Sequence, residues 1–229
     1  MKLELCELAD ASAFGIESFS PFCLKIHRAL RAAGLEYTRR HGVTPSSHKA
    51  FNTTAQVPVL LVDGAPITDS TAILRWIVAH SDLDASPEAW LYEELADTAL
   101  NGFLVAARWA DADNWPRTEA AYFGGMPTPL RWVIPGRLRA GILKNLVARD
   151  IWRAGPTACW ARFEQLLDSL DVRAPTGGYW TGPKLGVADV ALFGQLHGLR
   201  TTVTPAQRVS IAARPRLTAW LDRVDAATA

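Results

Sequence analysis

Gln56-Val57-Pro58-Val59-Leu60-Leu61-Val62-Asp63-Gly64-Ala65-Pro66-Ile67-Thr68-Asp69-Ser70-Thr71-Ala72-Ile73-Leu74-Arg75-Trp76-Ile77 reads as a strand, a hairpin turn and a helix in immediate succession. Val57 to Val62 is a short β-type run, and Asp63-Gly64 supplies a tight turn into Ala65 to Thr68. Pro58 stands at the start of the run, where its missing N–H costs no ladder hydrogen bond. A cis Val57–Pro58 bond would turn the strand and leave the N–H and C=O of Val57 open to a ligand. X–Pro bonds favour trans, so the residues alone do not set the isomer. Asp69 or Ser70 caps the helix that follows, with Ile73, Trp76 and Ile77 pointing inward. These two residues are either a plain cap or a recognition pair. In the second case Ser70 and its amide hold a carboxylate while Asp69 faces an ammonium, so that together they read an amino-acid head group.

Upstream, Leu3 to Leu8 forms a first strand-like run. Between the two runs lies Ser20-Pro21-Phe22-Cys23-Leu24-Lys25-Ile26-His27-Arg28-Ala29-Leu30-Arg31-Ala32-Ala33-Gly34, which carries both ends of a helix. Ser20 suits the N-cap, Pro21 the first helical position and Gly34 the position after the end. A helix N-terminus gathers unpaired N–H groups and partial positive charge, so a thiolate beside Ser20 would gain from that field and from the hydroxyl. The alternative is that Ser20 is a cap and nothing more. Cys23 falls on the apolar stripe with Ile26, Leu30 and Ala33, which favours an inert core thiol over a nucleophile. A dithiol redox site would need cysteine at position 20 as well, and serine stands there.

Downstream, Asp82-Leu83-Asp84-Ala85-Ser86-Pro87 is a polar, Pro-containing linker, after which strand signals almost vanish. Helical patterns run over 88–113, 129–149 with a break expected near Pro135-Gly136, 157–170, 188–199 and 215–224. The expected organisation is therefore a small α/β domain over residues 1–82 and an all-helical domain over 88–229. With 229 residues and 49% hydrophobic side chains, the chain is long enough for a sizeable core. Lys and Arg number 24 against 23 Asp and Glu, so the +1 balance provides no global field for nucleic acid or anionic lipid. No apolar run of about 18 residues occurs, and acidic residues interrupt the first ten, which argues against a spanning helix and a secretory signal. Cys6, Cys23 and Cys159 are too few and too scattered for a disulfide framework, which fits a reducing, cytoplasmic setting. No metal-ligand spacing and no phosphate-binding glycine loop is visible, and the five histidines are dispersed.

Taken in order, these pieces resemble the cytosolic glutathione S-transferase superfamily over nearly the whole chain. The resemblance rests on Ser20-Pro21-Phe22-Cys23, on Val57-Pro58 before a hairpin, and on Asp69-Ser70-Thr71-Ala72-Ile73. It implies an N-terminal thioredoxin-like domain, with a mixed four-stranded sheet and flanking helices, followed by a helical bundle. The Ser-Pro-Phe start is similar to the serine-type classes, which makes Ser20 the hydroxyl that hydrogen-bonds the glutathione thiolate, with Phe22 beside it. Ser18 competes for that role, because the register of the Phe14-to-Ser20 loop is open. The resemblance further implies that Val57, with Pro58 cis, pairs with the cysteinyl backbone, that Asp69 and Ser70 hold the γ-glutamyl end, and that Gln56 and His48 lie near the glycyl carboxylate. Glutathione would be the co-substrate, without a metal.

Two departures stand out. Glu is commoner where Asp69 stands, which shortens the reach to the γ-glutamyl group. Gly186-Val187-Ala188-Asp189 is similar to the family's capping-box helix, but the usual hydroxyl is missing at Gly186. In the helical part, Trp109, Trp115, Tyr122, Phe123 and Trp132 are close in sequence and belong to helices that in the family wall the electrophile site. Core packing is the alternative for each. Gly178-Tyr179-Trp180 offers aromatics for a partner if that loop is on the surface. The basic bias of Arg131, Arg137, Arg139, Lys144, Arg149 and Arg153 is a solvated face or one half of a contact with the acidic stretch Asp82 to Asp97 of a second protomer. The expected function is transfer of the activated glutathione thiol to a hydrophobic electrophile, a detoxification reaction, by a cytoplasmic homodimer that uses neither nucleic acid nor membrane. The alternative is a non-catalytic scaffold of the same family, and a monothiol reductase using Cys23 is weaker.

Overall fold

The computed structural model describes residues 1–8 and 15–229. The Phe14 end of the loop before Ser20 lies outside them. Four strands, β1 (Leu3–Leu8), β2 (Thr38–Gly42), β3 (Val59–Val62) and β4 (Ala65–Thr68), form a sheet of order β2-β1-β3-β4. β1 and β2 are parallel, whereas β1 with β3 and β3 with β4 are antiparallel, so the sheet is mixed. In the β1–β3 register Leu5 faces Leu60 and Cys6 faces Val59. The two-residue period then splits the strands cleanly. Leu3, Leu5 and Leu60 join the main core, while Cys6, Val59 and Leu61 pack with Phe51 on the other side.

Helices α1 (Pro21–Ala32) and α2 (Ser70–Val78) bury Ile26, Ala29, Leu30, Ile73, Leu74 and Ile77 in the same core. β2 went unrecognised in the sequence because Thr-Arg-Arg-His-Gly carries no apolar alternation. It is a charged edge strand, which is how an open sheet edge is kept from pairing with other chains. A 3-10 turn over Pro45–His48 follows it.

The helical part begins at Ser86, whose hydroxyl accepts from Ala89 N–H at 3.3 Å to start α3 (Pro87–Leu95). The rod continues through a π turn (Ala96–Leu100), α4 (Asn101–Val105) and a second π turn (Ala106–Ala110). Asp111 stops it by accepting from the N–H groups of Asp113 and Asn114. Then come α5 (Trp115–Phe123), α6 (Thr128–Arg131), α7 (Ile134–Ala148), α8 (Gly155–Arg173), α9 (Val187–Leu199), α10 (Pro205–Ala212) and α11 (Pro215–Thr228). The break expected at Pro135-Gly136 falls instead at Trp132-Val133. Pro135 sits in the first turn of α7, where a missing N–H costs nothing.

Two close approaches join sheet and bundle. A Cβ on Gly194 of α9 would stand 2.8 Å from the Pro21 carbonyl and 3.2 Å from Lys25 N, so the backbone of α1 rests directly on α9. At Gly186 a Cβ would meet the Asp84 carbonyl at 2.5 Å. This contact accounts for the missing hydroxyl of the capping box. The space a Ser or Thr side chain needs is filled by the linker, whose Asp84 carbonyl accepts from Val187 N–H at 2.8 Å. The other half of the box is present, with Asp189 Oδ2 accepting from Gly186 N–H at 3.0 Å. Asp189 Oδ1 accepts from Trp180 N–H at 2.9 Å and Trp220 Nε1–H at 2.8 Å, which fixes the preceding loop. Burial still pushes its carboxyl up to about 6 against those three donors. Trp180 is therefore buried edge-on against Trp220 and offers no surface to a partner, so of the two aromatics at 178–180 only the half-buried Tyr179 stays partly open.

Candidate functional site

α1 starts where the sequence places it. Ser20 has extended backbone angles, its Oγ accepts from Cys23 N–H at 3.3 Å, and Pro21 occupies the first helical position. A hydroxyl has two lone pairs and one proton. Capping uses a lone pair and leaves the proton to donate, so the cap and the thiolate donor are compatible roles for Ser20. Ser18 is buried, whereas Ser20 is half-exposed. Burial pushes the Cys23 thiol up to about 12, although hydrogen bonds from Ser20 and Ser18 pull the other way. Cys6 and Cys159 are likewise raised to about 11 by burial. None of the three thiols is a poised nucleophile.

α2 opens on Asp69, whose Oδ1 accepts from Thr71 N–H and Ala72 N–H at 3.0 Å each. Its φ of 77° is a left-handed value that few side chains other than Asp and Asn take up. The Val57–Pro58 peptide is cis, and Val57 precedes β3, outside the ladder that begins at Val59. Asn52 Nδ2 holds the Gln56 carbonyl at 3.0 Å, which fixes the approach to this bend.

These segments meet in a groove of about 470 Å³. Phe22, Gln56, Val57, Pro58, Asp69 and Ser70 all line it, joined by Asn52, Thr54, Thr68 and Thr71 from the sheet side and by Glu94 and Asp97 from the helical side. Two expected residues are not on this wall. Ser20 lies at the start of α1, two residues before Phe22. His48 is buried with Nε2 2.8 Å from the Glu7 carbonyl, locking the 3-10 turn onto β1, so its ring does not reach the groove. A larger cleft of about 800 Å³, between the end of α1 and residues 80–83 and 179–185, gathers none of the candidate residues.

Asp97 was not anticipated. Lys25, buried on α1, donates to Asp97 Oδ2 at 2.6 Å and to Glu93 Oε1 at 2.9 Å, and Thr71 also donates to Glu93 at 2.7 Å. Burial pushes the Asp97 carboxyl up to about 6, opposed by Lys25 and reinforced by Glu93. Its Oδ1 is buried without a hydrogen-bond partner among the described residues. The signal in the sequence was Lys25 itself, because a lysine on a helix enclosed on both sides requires a carboxylate.

The aromatic cluster is real for four of its five members. Trp109 stands 5.7 Å from Trp115, 5.2 Å from Tyr122 and 6.2 Å from Phe123 between ring centroids, and Tyr122 stands 4.8 Å from Phe19, the neighbour of Ser20. Trp109 and Phe123 are buried as core. Trp132 is separate and exposed. Among the described residues no cluster of three His, Cys, Asp or Glu side chains is arranged to hold a metal, and no helix is long and apolar enough to cross a membrane.

A mixed four-stranded sheet with a cis-proline bend at one helix start, set against a helical bundle, defines a two-domain protein of the thioredoxin-like type with a groove between the two parts. The family description "Glutathione S-transferase, N-terminal domain" matches residues 19–80, and "Glutathione S-transferase, C-terminal domain" matches 137–223. The chain belongs to the glutathione S-transferase superfamily. Among solved structures, it is similar to a glutathione S-transferase from Rhodospirillum rubrum F11 at 18% identity and a TM-score of 0.64, covering 97% of this chain and 87% of that one. It is similar to a glutathione transferase family member from Pseudomonas fluorescens Pf-5, solved with two glutathione bound, at 16% identity, TM-score 0.61 and the same coverage of 97% and 87%. A glutathione S-transferase from Methylobacterium radiotolerans JCM 2831, in complex with glutathione sulfonate, gives 20% identity, TM-score 0.60 and coverage of 99% and 91%. At these identities the likeness is one of fold.

Proposed function

We propose that the chain binds glutathione in the groove between its two domains and presents the thiolate to a hydrophobic electrophile. The observation that carries this reading is the meeting of Phe22, the Gln56-Val57-cis-Pro58 bend and Asp69-Ser70 on one groove wall, from three separate stretches of sequence. In this reading the cysteinyl backbone of glutathione pairs with Val57, its γ-glutamyl carboxylate takes the Ser70 amide at the start of α2, and Gln56 lies toward the glycyl end. Asp69 Oδ1 is committed to its cap, so the γ-glutamyl ammonium takes the other oxygen of Asp69, and the Asp97 carboxyl on the facing wall adds negative charge to the same end of the groove. Ser20 donates its hydroxyl proton to the thiolate. The chain's own thiols are buried and raised, so the nucleophile comes with the co-substrate. Rate enhancement then rests on proximity and on stabilisation of an anion, without an acid–base dyad. The aromatic group beside Phe19 favours an apolar acceptor. A cytoplasmic, homodimeric, detoxifying transferase completes the reading.

The test is a glutathione titration followed by tryptophan fluorescence, with thiolate absorbance recorded across pH. Saturable binding with a bound-thiol pKa below that of free glutathione is expected. No binding at millimolar glutathione would refute the transferase and leave the scaffold.

A further inference from the structure

Between Glu119 and Asp150 the chain has no acidic residue, but it has Arg131, Arg137, Arg139, Lys144 and Arg149. The overall +1 charge conceals this segregation. The segment folds as α6 and α7 and carries most of the large apolar side chains that are exposed among the described residues. Leu130 is 51% exposed, Trp132 81%, Val133 47% and Leu138 45%, with Ile134 beside them. Along α7, Ile134, Arg137, Leu138 and Lys144 are exposed, whereas Ile142 and Leu143 are half-buried and Leu146 is buried. Among the described residues none of the five cations is in an ion pair. Arg139 is taken up by the Trp109 carbonyl and the Trp115 ring, and Arg149 by the Thr98 carbonyl, which leaves Arg131, Arg137 and Lys144 directed outward.

We propose that this corner is a docking surface for an anionic lipid bilayer, with Trp132, Leu130 and Val133 entering the headgroup layer and Arg131, Arg137 and Lys144 meeting lipid phosphates and carboxylates. Charge complementarity selects the occupant. A second copy apposed by two-fold symmetry would bring cations against cations. Of the acidic stretch that could answer them in another register, Glu93 and Asp97 are held on Lys25 and Glu88 on Arg173, which leaves Asp82 and Glu94 exposed, two carboxylates against three outward cations. A nucleic acid would satisfy the cations but give the protruding aliphatic chains nothing to contact. The mixture of exposed Trp, aliphatic side chains and cations is what a headgroup interface accommodates. Glu119 lines the neighbouring hollow with Arg131 and Trp132 and is the one carboxylate among the residues that line it. This proposal does not depend on glutathione binding.

The experiment is flotation of the full chain with vesicles of phosphatidylcholine alone, or with about one-third phosphatidylserine, at low and high salt. Recovery with the anionic vesicles, lost at high salt, is expected. Arg131→Glu with Arg137→Glu should weaken it at least about twentyfold, at roughly fivefold per cation removed. Trp132→Ser should weaken it while leaving the unfolding temperature unchanged, since nothing in the fold rests on that ring. Equal flotation with neutral vesicles, or indifference to these substitutions, would overturn the proposal. Failure to float combined with salt-sensitive retention on immobilised polyglutamate would overturn it in favour of an acidic protein partner.

Discussion

Arg108, buried in the second π turn of the helical domain, donates a hydrogen bond to the carbonyl of Phe19, the residue immediately before Ser20. The same guanidinium reaches Tyr122 Oη at 3.1 Å and the Gly198 carbonyl at 2.8 Å. The start of α1 is thus clamped by the bundle and does not rest on its own cap alone. Arg108→Met should leave both carbonyls without this donor, costing about 2 to 6 kcal/mol at roughly 1–3 kcal/mol each. The urea midpoint should fall accordingly. An unchanged midpoint would mean that water replaces the clamp.

Ser20→Ala removes both the cap and the thiolate donor. The cap is worth about 1 kcal/mol, read as a modest drop in unfolding temperature. The donor should show as a higher pKa of bound glutathione and slower turnover, with a dissociation constant close to that of the parent. Ser18→Ala is the control, because that side chain is buried. If Ser18→Ala abolishes turnover and Ser20→Ala does not, the thiolate is held two residues earlier, at Ser18.

Asp69→Asn separates the cap of α2 from the charge. Asn still accepts from Thr71 N–H and Ala72 N–H and tolerates the positive φ, so the unfolding temperature should hardly move. The glutathione dissociation constant should rise several-fold through weaker attraction for the ammonium. Asp97→Asn should raise it in the same direction, and it also removes the raised carboxyl, so binding should lose the pH dependence centred near 6. If neither substitution moves the dissociation constant, the ammonium lies elsewhere.

The elements with strong local chemistry were legible in the sequence. Ser20-Pro21 and Asp69-Ser70 announce helix starts, Asp63-Gly64 announces a hairpin, and the apolar period carries α8 and α9. β2, α5 and α10 were not, since each is short, and β2 is polar along its length. Thr-Arg-Arg-His-Gly is a strand only because β1 lies beside it. At the site, the near wall could be read because each of its residues doubles as a cap or a turn. The far wall could not, because Asp97 meets Lys25 across 72 positions of sequence. His48 illustrates the converse. Its position along the chain suits a ligand contact, yet the Glu7 carbonyl takes its ring. The even charge balance argued against lipid only as a whole-chain quantity, and it says nothing about how charges are segregated along the fold.

Glu7, fully buried on β1, gives the clearest pH prediction. Burial by itself pushes its carboxyl up. Hydrogen bonds from His27 Nε2 at 3.1 Å and Arg39 Nε at 2.5 Å, together with the charges of those partners, outweigh that and hold it down to about 2 from an ordinary 4.5. A carboxyl depressed in the folded state binds its proton more weakly there than in the unfolded chain. Its contribution to stability is therefore fully present above about pH 4.5 and is lost as pH falls through about 2. The window corresponds to about 3 kcal/mol. Glu7→Gln should be less stable at neutral pH and should show a shallower decline of unfolding free energy between pH 5 and 2, measured by urea titration at each pH. A parallel decline in both proteins would place the acid-sensitive group elsewhere in the molecule.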